Sequence, residues 1–293
     1  MLEHRLALSD GASVLLRRCG NQEGPRLFVG HGTGFAVDGF IRMWRPLLAD
    51  CDLILFDLRG HGGSGPVPAE TVDGPRLTRD MAEILAGAAT VWGSRPVFGL
   101  FHSISALMAL RLEVSEPGSF AGMVLIEPPA TPDLADPDYD AFEAGRMALA
   151  TRSAKRQRDF SSVAELADKF AGRGPFRHFE PGTAEELAAA MLVASGSGWT
   201  LACPPEVEAR YFGRNLDDGM RAHLADIACP VLMLVGRDDL AMPGTPACIG
   251  VGLARQGGFD LLELANATHM LPLERPAAVA EATRAFLRQH AGG

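Results

Sequence analysis

Three polar residues whose side chains could carry out acyl transfer are Ser103, Asp239 and His269, and each follows a short apolar run. A serine hydroxyl is a weak nucleophile near neutral pH, so it needs a base within hydrogen-bond reach and a carboxylate that orients the base. His269 would remove the proton of Ser103, while Asp239 would hold the imidazole and stabilise its protonated form. The residue types therefore predict a catalytic triad, provided that the fold brings these distant positions together.

The elements that must position these residues alternate between buried apolar runs and helical patterns. Two alternating runs flank Asp10-Gly11, a pair typical of hairpin turns. Six further apolar runs begin at Arg26, Asp52, Pro96, Gly122, Pro230 and Asp260. We predict an α/β fold with a doubly wound, mostly parallel sheet of eight strands and an antiparallel edge. Chemistry in such a sheet is expected at the carboxyl ends of the strands.

The segment 131–227 interrupts this alternation. It contains several helical stretches with Pro/Gly punctuation and no convincing strand, and it is far longer than an ordinary connection. We predict a helical cap inserted after the sixth strand, with residues 1–130 and 228–293 forming the core domain. Because it leaves the core at a carboxyl end, the insertion would lie over the catalytic edge as a lid.

Five motifs follow predicted strands in a fixed order: HGTGF at 31–35, FDLRGHGGSG at 56–65, FHSIS at 101–105, GRDDLAMP at 236–243 and THMLPLERP at 268–276. Together they resemble the motifs of the α/β-hydrolase superfamily, and the resemblance covers nearly the whole chain outside the insertion. The chain order Ser, Asp, His also matches the order of that superfamily's triad. The resemblance implies a lid-bearing serine hydrolase.

The acid of the triad has more than one candidate. The superfamily pattern G-x-x-D counts from Gly236 to Asp239, which favours Asp239 over its neighbour Asp238. Glu127, after the sixth strand, is a second candidate because some members place their acid there. For Glu127 the favoured interpretation is nevertheless a hydrogen-bonding role beneath the lid.

The resemblance also implies donors for the negatively charged oxygen that develops during acyl transfer. Ile104, directly after the nucleophile, would offer its backbone N–H from the start of a helix. The second donor would come from the HGTGF loop, with Thr33 as the leading choice and Gly34 as the reserve. His31 and His61 lie in nearby glycine-rich turns, where we expect them to brace loops.

The motif around Ser103 departs from the usual nucleophile elbow, which has glycine two positions before and after the serine. Ser105 is small and satisfies the need for close packing between strand and helix. Phe101 is bulky, so we expect either a slightly opened turn or a neighbouring element that has receded.

Composition argues against a nucleic-acid partner. The formal net charge is -9, and no Lys/Arg cluster is long enough to follow a phosphate backbone. The densest basic stretch, RSAKRQR at 152–158, is either a basic patch for an anionic substrate or the solvated face of a helix. We favour the solvated face, because charge runs usually have that role.

Cofactors, metals and membranes are not indicated. The chain lacks a GxxxxGK[ST] or HExxH motif, and its five cysteines form no CxxC pair. No stretch approaches the roughly 18 apolar residues of a membrane span, and the N-terminus lacks the apolar region of a secretory signal. We expect a cytoplasmic protein without cofactor or membrane partner that acts on a small molecule; a homodimer is compatible with the sequence.

Our main functional hypothesis is hydrolysis of a carboxylic ester, lactone or thioester of a small, mostly apolar substrate. Eight apolar residues of the insertion are candidates for the pocket wall: Phe142, Met147, Phe170, Phe176, Met191, Leu192, Trp199 and Tyr211. Alternatives are a carbon-carbon bond hydrolase of ring-cleavage products, a non-hydrolytic small-molecule binder and a cofactor-free oxygenase on the same fold.

Overall fold

A mostly parallel sheet forms the centre of the protein. The computed structural model describes residues 1–170, 172, 174–214, 216 and 219–292. Its strands are β1 (Leu2–Ala7), β2 (Ser13–Gly20), β3 (Arg26–Gly30), β4 (Asp52–Phe56), β5 (Val97–His102), β6 (Gly122–Ile126), β7 (Asp159–Phe160), β8 (Leu192–Ser195), β9 (Gly198–Leu201), β10 (Val231–Gly236) and β11 (Asp260–Leu264). Eight of them form the main sheet in the order β1-β2-β4-β3-β5-β6-β10-β11.

The main sheet has one antiparallel edge, as predicted. β1 pairs with β2 and β2 with β4 in antiparallel fashion, while the pairs from β4 through β11 are parallel. Every residue of β3, β4 and β6 is buried. Strands covered by helices on both faces are expected to be apolar in this continuous way. The predicted eight-stranded α/β fold is confirmed.

Helices cover both faces of this sheet. The α-helices of the described residues, including those of the inserted segment, are α1 (Ile41–Trp44), α2 (Gly74–Trp92), α3 (Ile104–Ser115), α4 (Tyr139–Ala154), α5 (Val163–Phe170), α6 (Thr183–Met191), α7 (Pro205–Gly213), α8 (Pro246–Gly257), α9 (Leu271–Glu274) and α10 (Pro276–His290). Apolar residues of α2, α3 and α8 pack on one face, and those of α1 and α10 on the other. Successive residues of β3 alternate accordingly: Phe28 belongs to the first core and Leu27 and Val29 to the second.

Local signals in the sequence fix the ends of the long helices. The Asp73 side chain caps α2 by accepting a hydrogen bond from the backbone N–H of Arg76, and the helix ends at Gly93, whose φ is 82°. Thr245 caps α8, and Gly258 follows that helix with a left-handed φ of 68°. Such caps satisfy the unpaired backbone groups at helix ends and contribute about 1 kcal/mol each.

The segment between β6 and β10 contains α4 to α7 together with a three-stranded antiparallel sheet in the order β7-β9-β8. The prediction of a segment without strands is therefore wrong. Gly196 and Ser197 join β8 to β9 as a two-residue hairpin loop, because Ser195 pairs with Gly198. Such a Gly-Ser loop is a hairpin signal, and the prediction of helical stretches throughout the insertion overlooked it. Residues 171, 173, 215, 217 and 218 of the predicted insertion lie outside the described residues.

Candidate active site

Ser103 occupies the sharp turn between β5 and α3. Its φ is 57° and its ψ is -120°, a conformation that is strained for a residue with a side chain. The backbone N–H of Ser103 donates to the carbonyl oxygen of Ile126 at 2.8 Å, which ties the turn to the end of β6. This strand-turn-helix geometry presents the Ser103 hydroxyl at the carboxyl edge of the sheet.

His269 faces this hydroxyl from the loop between β11 and α9. The distance between its Nε2 atom and Ser103 Oγ is 3.2 Å, within hydrogen-bond reach. The fold thus brings together two of the three residues that the sequence singled out, although they are far apart in the chain. Their contact allows direct proton transfer from the serine to the imidazole.

Glu127 provides the carboxylate that holds the imidazole. The Nδ1 atom of His269 donates to Glu127 Oε2 at 2.7 Å, and the backbone N–H of Gly236 donates to Glu127 Oε1 at 2.7 Å. The Glu127 side chain is fully buried. A φ of 44° at Glu127 turns the chain at the end of β6. Because both carboxylate oxygens are occupied by donors, the side chain is fixed in position.

The structure corrects the predicted contact between Asp239 and the imidazole. Asp239 Oδ2 accepts a hydrogen bond from the backbone N–H of His269 at 2.9 Å, and its other oxygen lies 3.7 Å from the guanidinium of Arg177. Asp239 therefore anchors the loop that carries His269. Asp238, the other acid considered, is bonded to His178 Nε2 at 2.8 Å and does not reach the site.

His102 supports the same loop from below. Its Nε2–H donates to the carbonyl oxygen of His269 at 2.9 Å, and the two ring centroids are 4.7 Å apart. Complete burial is the main cause that lowers the pKa of His102 well below its ordinary value, and the nearby His269 lowers it further. His102 consequently stays neutral and positions the loop while His269 is the histidine that contacts the serine.

Two of the three residues predicted as oxyanion donors line the cavity beside Ser103. Ile104 begins α3, and both Ile104 and Thr33 line the cavity that contains Ser103. Neither backbone N–H donates to another atom among the described residues. The backbone N–H of Gly34 instead donates to His61 Nε2 at 2.9 Å, so the reserve assignment of Gly34 is corrected.

The histidines of the glycine-rich turns have the bracing role that the sequence suggested. His31 Nε2 accepts from the backbone N–H of Leu58 at 3.0 Å, and His61 Nδ1–H donates to the carbonyl oxygen of Arg59 at 2.9 Å. Burial lowers the pKa of His31 to about 4 and that of His61 to about 3. Both rings stay neutral near neutral pH, which their acceptor bonds require.

The bulky Phe101 is accommodated by a glycine of its own strand. A methyl group added at Gly99 would lie 2.1 Å from the Phe101 ring, which also packs edge-on against Phe56 and Phe120. Ser105 fulfils the small-residue role: its hydroxyl donates to the carbonyl oxygen of His102 at 2.9 Å. The space for Phe101 thus comes from a missing side chain at position 99.

A cavity of about 1010 Å³ opens beside the Ser103 hydroxyl, with its floor in the core and its walls in the segment between β6 and β10. Four of the eight predicted wall residues line it: Phe142, Phe170, Phe176 and Tyr211. The other four do not: Met147, Met191, Leu192 and Trp199. Further apolar contacts come from Leu149, Phe160 and Leu166. The wall beside the serine is therefore largely aromatic and aliphatic.

Within the described ranges, no group of three or more His, Cys, Asp or Glu side chains is arranged to hold a metal ion. None of the helices in those ranges combines the length and apolar character that a bilayer crossing demands.

The fold and the strained serine define an α/β-hydrolase, and the comparisons with known proteins agree. The chain belongs to the alpha/beta hydrolase family, whose pattern matches residues 27–282. It is 34% identical to human (Homo sapiens) monoglyceride lipase over 104 residues, which are 35% of this chain and only 34% of that protein.

Two further similarities extend along nearly the whole chain. A dihydrolipoyllysine-residue acetyltransferase component of the acetoin cleaving system from Cupriavidus necator is 25% identical over 291 residues, which cover 99% of this chain and 69% of that protein. The crystal structure of E-2-(acetamidomethylene)succinate hydrolase superposes with a TM-score of 0.79 at 18% identity, covering 98% of this chain and 99% of that chain. At this identity the structural likeness establishes the fold.

Proposed function

We propose that the protein is a serine hydrolase that cleaves a carboxylic ester, lactone or thioester through an acyl-enzyme. The observation that carries the proposal is the continuous hydrogen-bond chain from Glu127 through His269 to Ser103, with distances of 2.7 Å and 3.2 Å. A serine, a histidine and a fixed carboxylate in this order form the activated-nucleophile arrangement of acyl-transfer enzymes. Family membership and the lipase and acetyltransferase relatives support this choice.

In the acylation step, Ser103 Oγ attacks the carbonyl carbon while its proton passes to His269 Nε2. The C=O electron pair moves onto the oxygen, which the backbone N–H groups of Thr33 and Ile104 stabilise. One donor of this kind is worth about 10²- to 10³-fold in rate. When the intermediate collapses, the bond to the leaving group breaks and His269 returns its proton to the departing oxygen or sulfur.

In the deacylation step, a water molecule attacks the acyl carbon and gives one proton to His269 Nε2. The second intermediate breaks its bond to Ser103 Oγ, which takes the proton back, and the carboxylic acid leaves. Glu127 takes no proton from the ring in either step, because its role is to orient the ring and stabilise the imidazolium. Its buried side chain, fixed by Gly236, is suited to that role.

The apolar wall favours a substrate with an apolar body. Phe142, Phe160 and Leu149 belong to the segment above the sheet and face the same cavity as Ser103. Pockets of this character bury most of a small ligand and fix its orientation by a few polar groups. They also exclude water from the reacting centre, which strengthens the electrostatic contribution of the oxyanion donors.

A covalent probe tests the proposal directly. A fluorophosphonate reacts with an activated serine, so peptide mass spectrometry of the labelled protein should place the adduct on Ser103. Labelling should disappear in Ser103→Ala and fall sharply in His269→Ala. Ser64→Ala is a matched control, because Ser64 lies outside the cavity and donates to the carbonyl oxygen of Asp57. A folded protein that is not labelled and hydrolyses no short 4-nitrophenyl ester would overturn the proposal.

A further inference from the structure

The cavity wall carries an excess of positive charge. Its described lining includes six basic residues: Arg146, Arg152, Lys155, Arg156, Lys169 and Arg214. The acidic residue in that described lining is Glu208. The whole chain has a formal net charge of -9, so this concentration of cations is opposite to the overall balance.

Two of these cations already have partners within the cap. Arg156 forms an ion pair with Glu208 at 2.6 Å, and Arg146 pairs with Glu143 and donates to the carbonyl oxygen of Phe212 at 2.9 Å. The bond from Arg146 to Phe212 joins α4 to α7, and the Arg156 ion pair joins the residues after α4 to α7. Both side chains are therefore structural elements of the wall.

Of the other four cations, Lys169 lies over the Phe160 ring, with its Nζ atom 5.9 Å from the ring centroid. The remaining three are Arg152, Lys155 and Arg214. Within the described part of the chain, Arg152, Lys155 and Arg214 form no ion pair with a carboxylate, and all three are exposed. The partial negative charge at the C-terminal end of α4 favours nearby cations, which explains the positions of Arg152 and Lys155 in part. Arg214 follows α7, a separate element, yet it lines the same cavity. Cations on two separate elements therefore border the same cavity.

The basic stretch 152–158 is therefore divided in the structure. Arg152, Lys155 and Arg156 line the cavity, whereas Arg158 lies outside it, is exposed and is 3.7 Å from Glu206. Arg152 lies on α4 and is exposed, as predicted for a solvated helix face, but it also lines the cavity, whereas Arg158 follows the helix. Arg158 is therefore a suitable control for substitution, because it is a cation of the same stretch that does not line the cavity.

We propose that the substrate carries an anionic group, a carboxylate or a phosphate, which binds Arg152, Lys155 and Arg214 while its apolar body contacts the aromatic wall. Guanidinium groups recognise both anions through paired N–H donors, and an ammonium adds a compact charge. This inference rests on the proposed function, because the acyl group of the bound substrate must reach Ser103. It makes the substrate class an amphipathic acyl compound.

Matched substrates test this inference. The value of kcat/KM is measured for mono-4-nitrophenyl glutarate, which has a free carboxylate, and for its uncharged methyl ester. Butanoyl coenzyme A and S-butanoyl-N-acetylcysteamine form a second pair that differs in the phosphate-bearing part. The anionic member of at least one pair should be preferred, and the preferred pair identifies the carboxylate or the phosphate as the source.

The triple variant Arg152→Gln/Lys155→Gln/Arg214→Gln should then lose about tenfold in kcat/KM for the preferred anionic substrate, as expected for partly exposed charge pairs. Its activity on the uncharged partner should change less than about twofold. Arg158→Gln should leave both values unchanged. The inference would be overturned if the wild type showed no preference for an anionic substrate. It would also be overturned if the triple variant kept that preference or lost equal activity on both substrates.

A binding measurement separates this inference from the proposed function. N-phenylglutaramic acid is an amide analogue, and its affinity for Ser103→Ala can be compared with that of its methyl ester by calorimetry. The acid should bind Ser103→Ala more tightly than its methyl ester does. This difference should disappear when the triple variant is made in the Ser103→Ala background, and that result supports the anion site even if no ester is hydrolysed. Equal affinities, together with ester turnover by the wild type and no preference for butanoyl coenzyme A over S-butanoyl-N-acetylcysteamine, would leave the hydrolase standing and remove the anion site.

Discussion

Glu127 and Asp239 hold His269 at two different points. Glu127 Oε2 accepts from the ring Nδ1 at 2.7 Å, whereas Asp239 Oδ2 accepts from the backbone N–H at 2.9 Å. Only the first contact can orient the imidazole and stabilise its charge. The second contact fixes the loop. The two carboxylates therefore differ in the effect that their removal should have.

Replacing Glu127 by glutamine should lower kcat by about 10³- to 10⁴-fold. The glutamine carbonyl would accept from the N–H of Gly236, so its NH₂ would face Nδ1 and force the wrong tautomer on His269. Asp239→Asn retains an acceptor for the backbone N–H and should reduce kcat by about tenfold or less. Steady-state ester hydrolysis and the rate of fluorophosphonate labelling measure both effects. A larger loss in Asp239→Asn than in Glu127→Gln would contradict this assignment.

The sequence predicted the fold well because its signals are local. The buried runs that became β3, β4 and β6 are continuous apolar stretches, and the turn at Asp10-Gly11 marks the hairpin at the edge. The short strands β7 to β9 were missed, because they contain few residues and follow helical patterns. Leu192 continues the apolar spacing of α6, so periodicity alone could not separate the helix from the strand.

The choice of acid depended on geometry that the sequence does not contain. β6 and β10 are neighbours in the sheet, so both Glu127 and Asp239 reach the same edge. The spacing G-x-x-D favoured Asp239. The φ of 44° at Glu127 and the bond from Gly236 decide the direction of the carboxylate, and both arise from tertiary contacts. Gly34 was misassigned for a similar reason, since its bond to His61 joins two distant loops.

Substituting alanine for Gly34 should lower kcat strongly and lower the free energy of unfolding only modestly. The φ of Gly34 is 81°, and an added methyl group would lie 2.8 Å from Glu208 Oε1. The clash would displace the adjacent backbone N–H of Thr33, so we expect kcat to fall by at least about tenfold. Gly11→Ala is the control, because Gly11 has a φ of 87° and a methyl group added there would meet no atom within 4 Å apart from its chain neighbours.

Both alanine variants should lose about 1–2 kcal/mol of unfolding free energy from left-handed backbone strain. Urea denaturation measures this common loss, and ester turnover measures the difference between the variants. Full activity in Gly34→Ala would show that the position of this loop does not matter for catalysis.

Acid should destabilise the protein in a window set by its buried histidines. The pKa of His31 is lowered to about 4 and that of His61 to about 3 by burial, whereas both groups titrate near pH 6.5 in the unfolded chain. Below about pH 6.5 the unfolded state therefore binds more protons than the folded state. The contribution of the two neutral histidines to the free energy of unfolding is complete above that pH, and it is lost as the pH falls toward their pKa values in the folded state.

Urea midpoints measured between about pH 7.5 and 5 should show this decline. His61→Gln should have a shallower decline, because a glutamine oxygen can accept from the N–H of Gly34 without titrating. His223→Gln is the control, since His223 is exposed and lies in the short helical turn Met220–Asp226. Identical slopes in the wild type and His61→Gln would exclude His61 as a contributor.

Phe101 and Gly99 should show strong energetic coupling. The Phe101 ring is fully buried and occupies the space that a side chain at Gly99 would need, 2.1 Å from the added methyl group. Phe101→Ala should destabilise the protein by about 3–5 kcal/mol through the cavity it leaves. Gly99→Ala should destabilise it by about 1–3 kcal/mol through overpacking. The double variant should cost less than the sum, because the new methyl group occupies part of the vacated space. Urea denaturation of all four proteins gives the coupling, and additive losses would show that Gly99 is not what makes room for the ring.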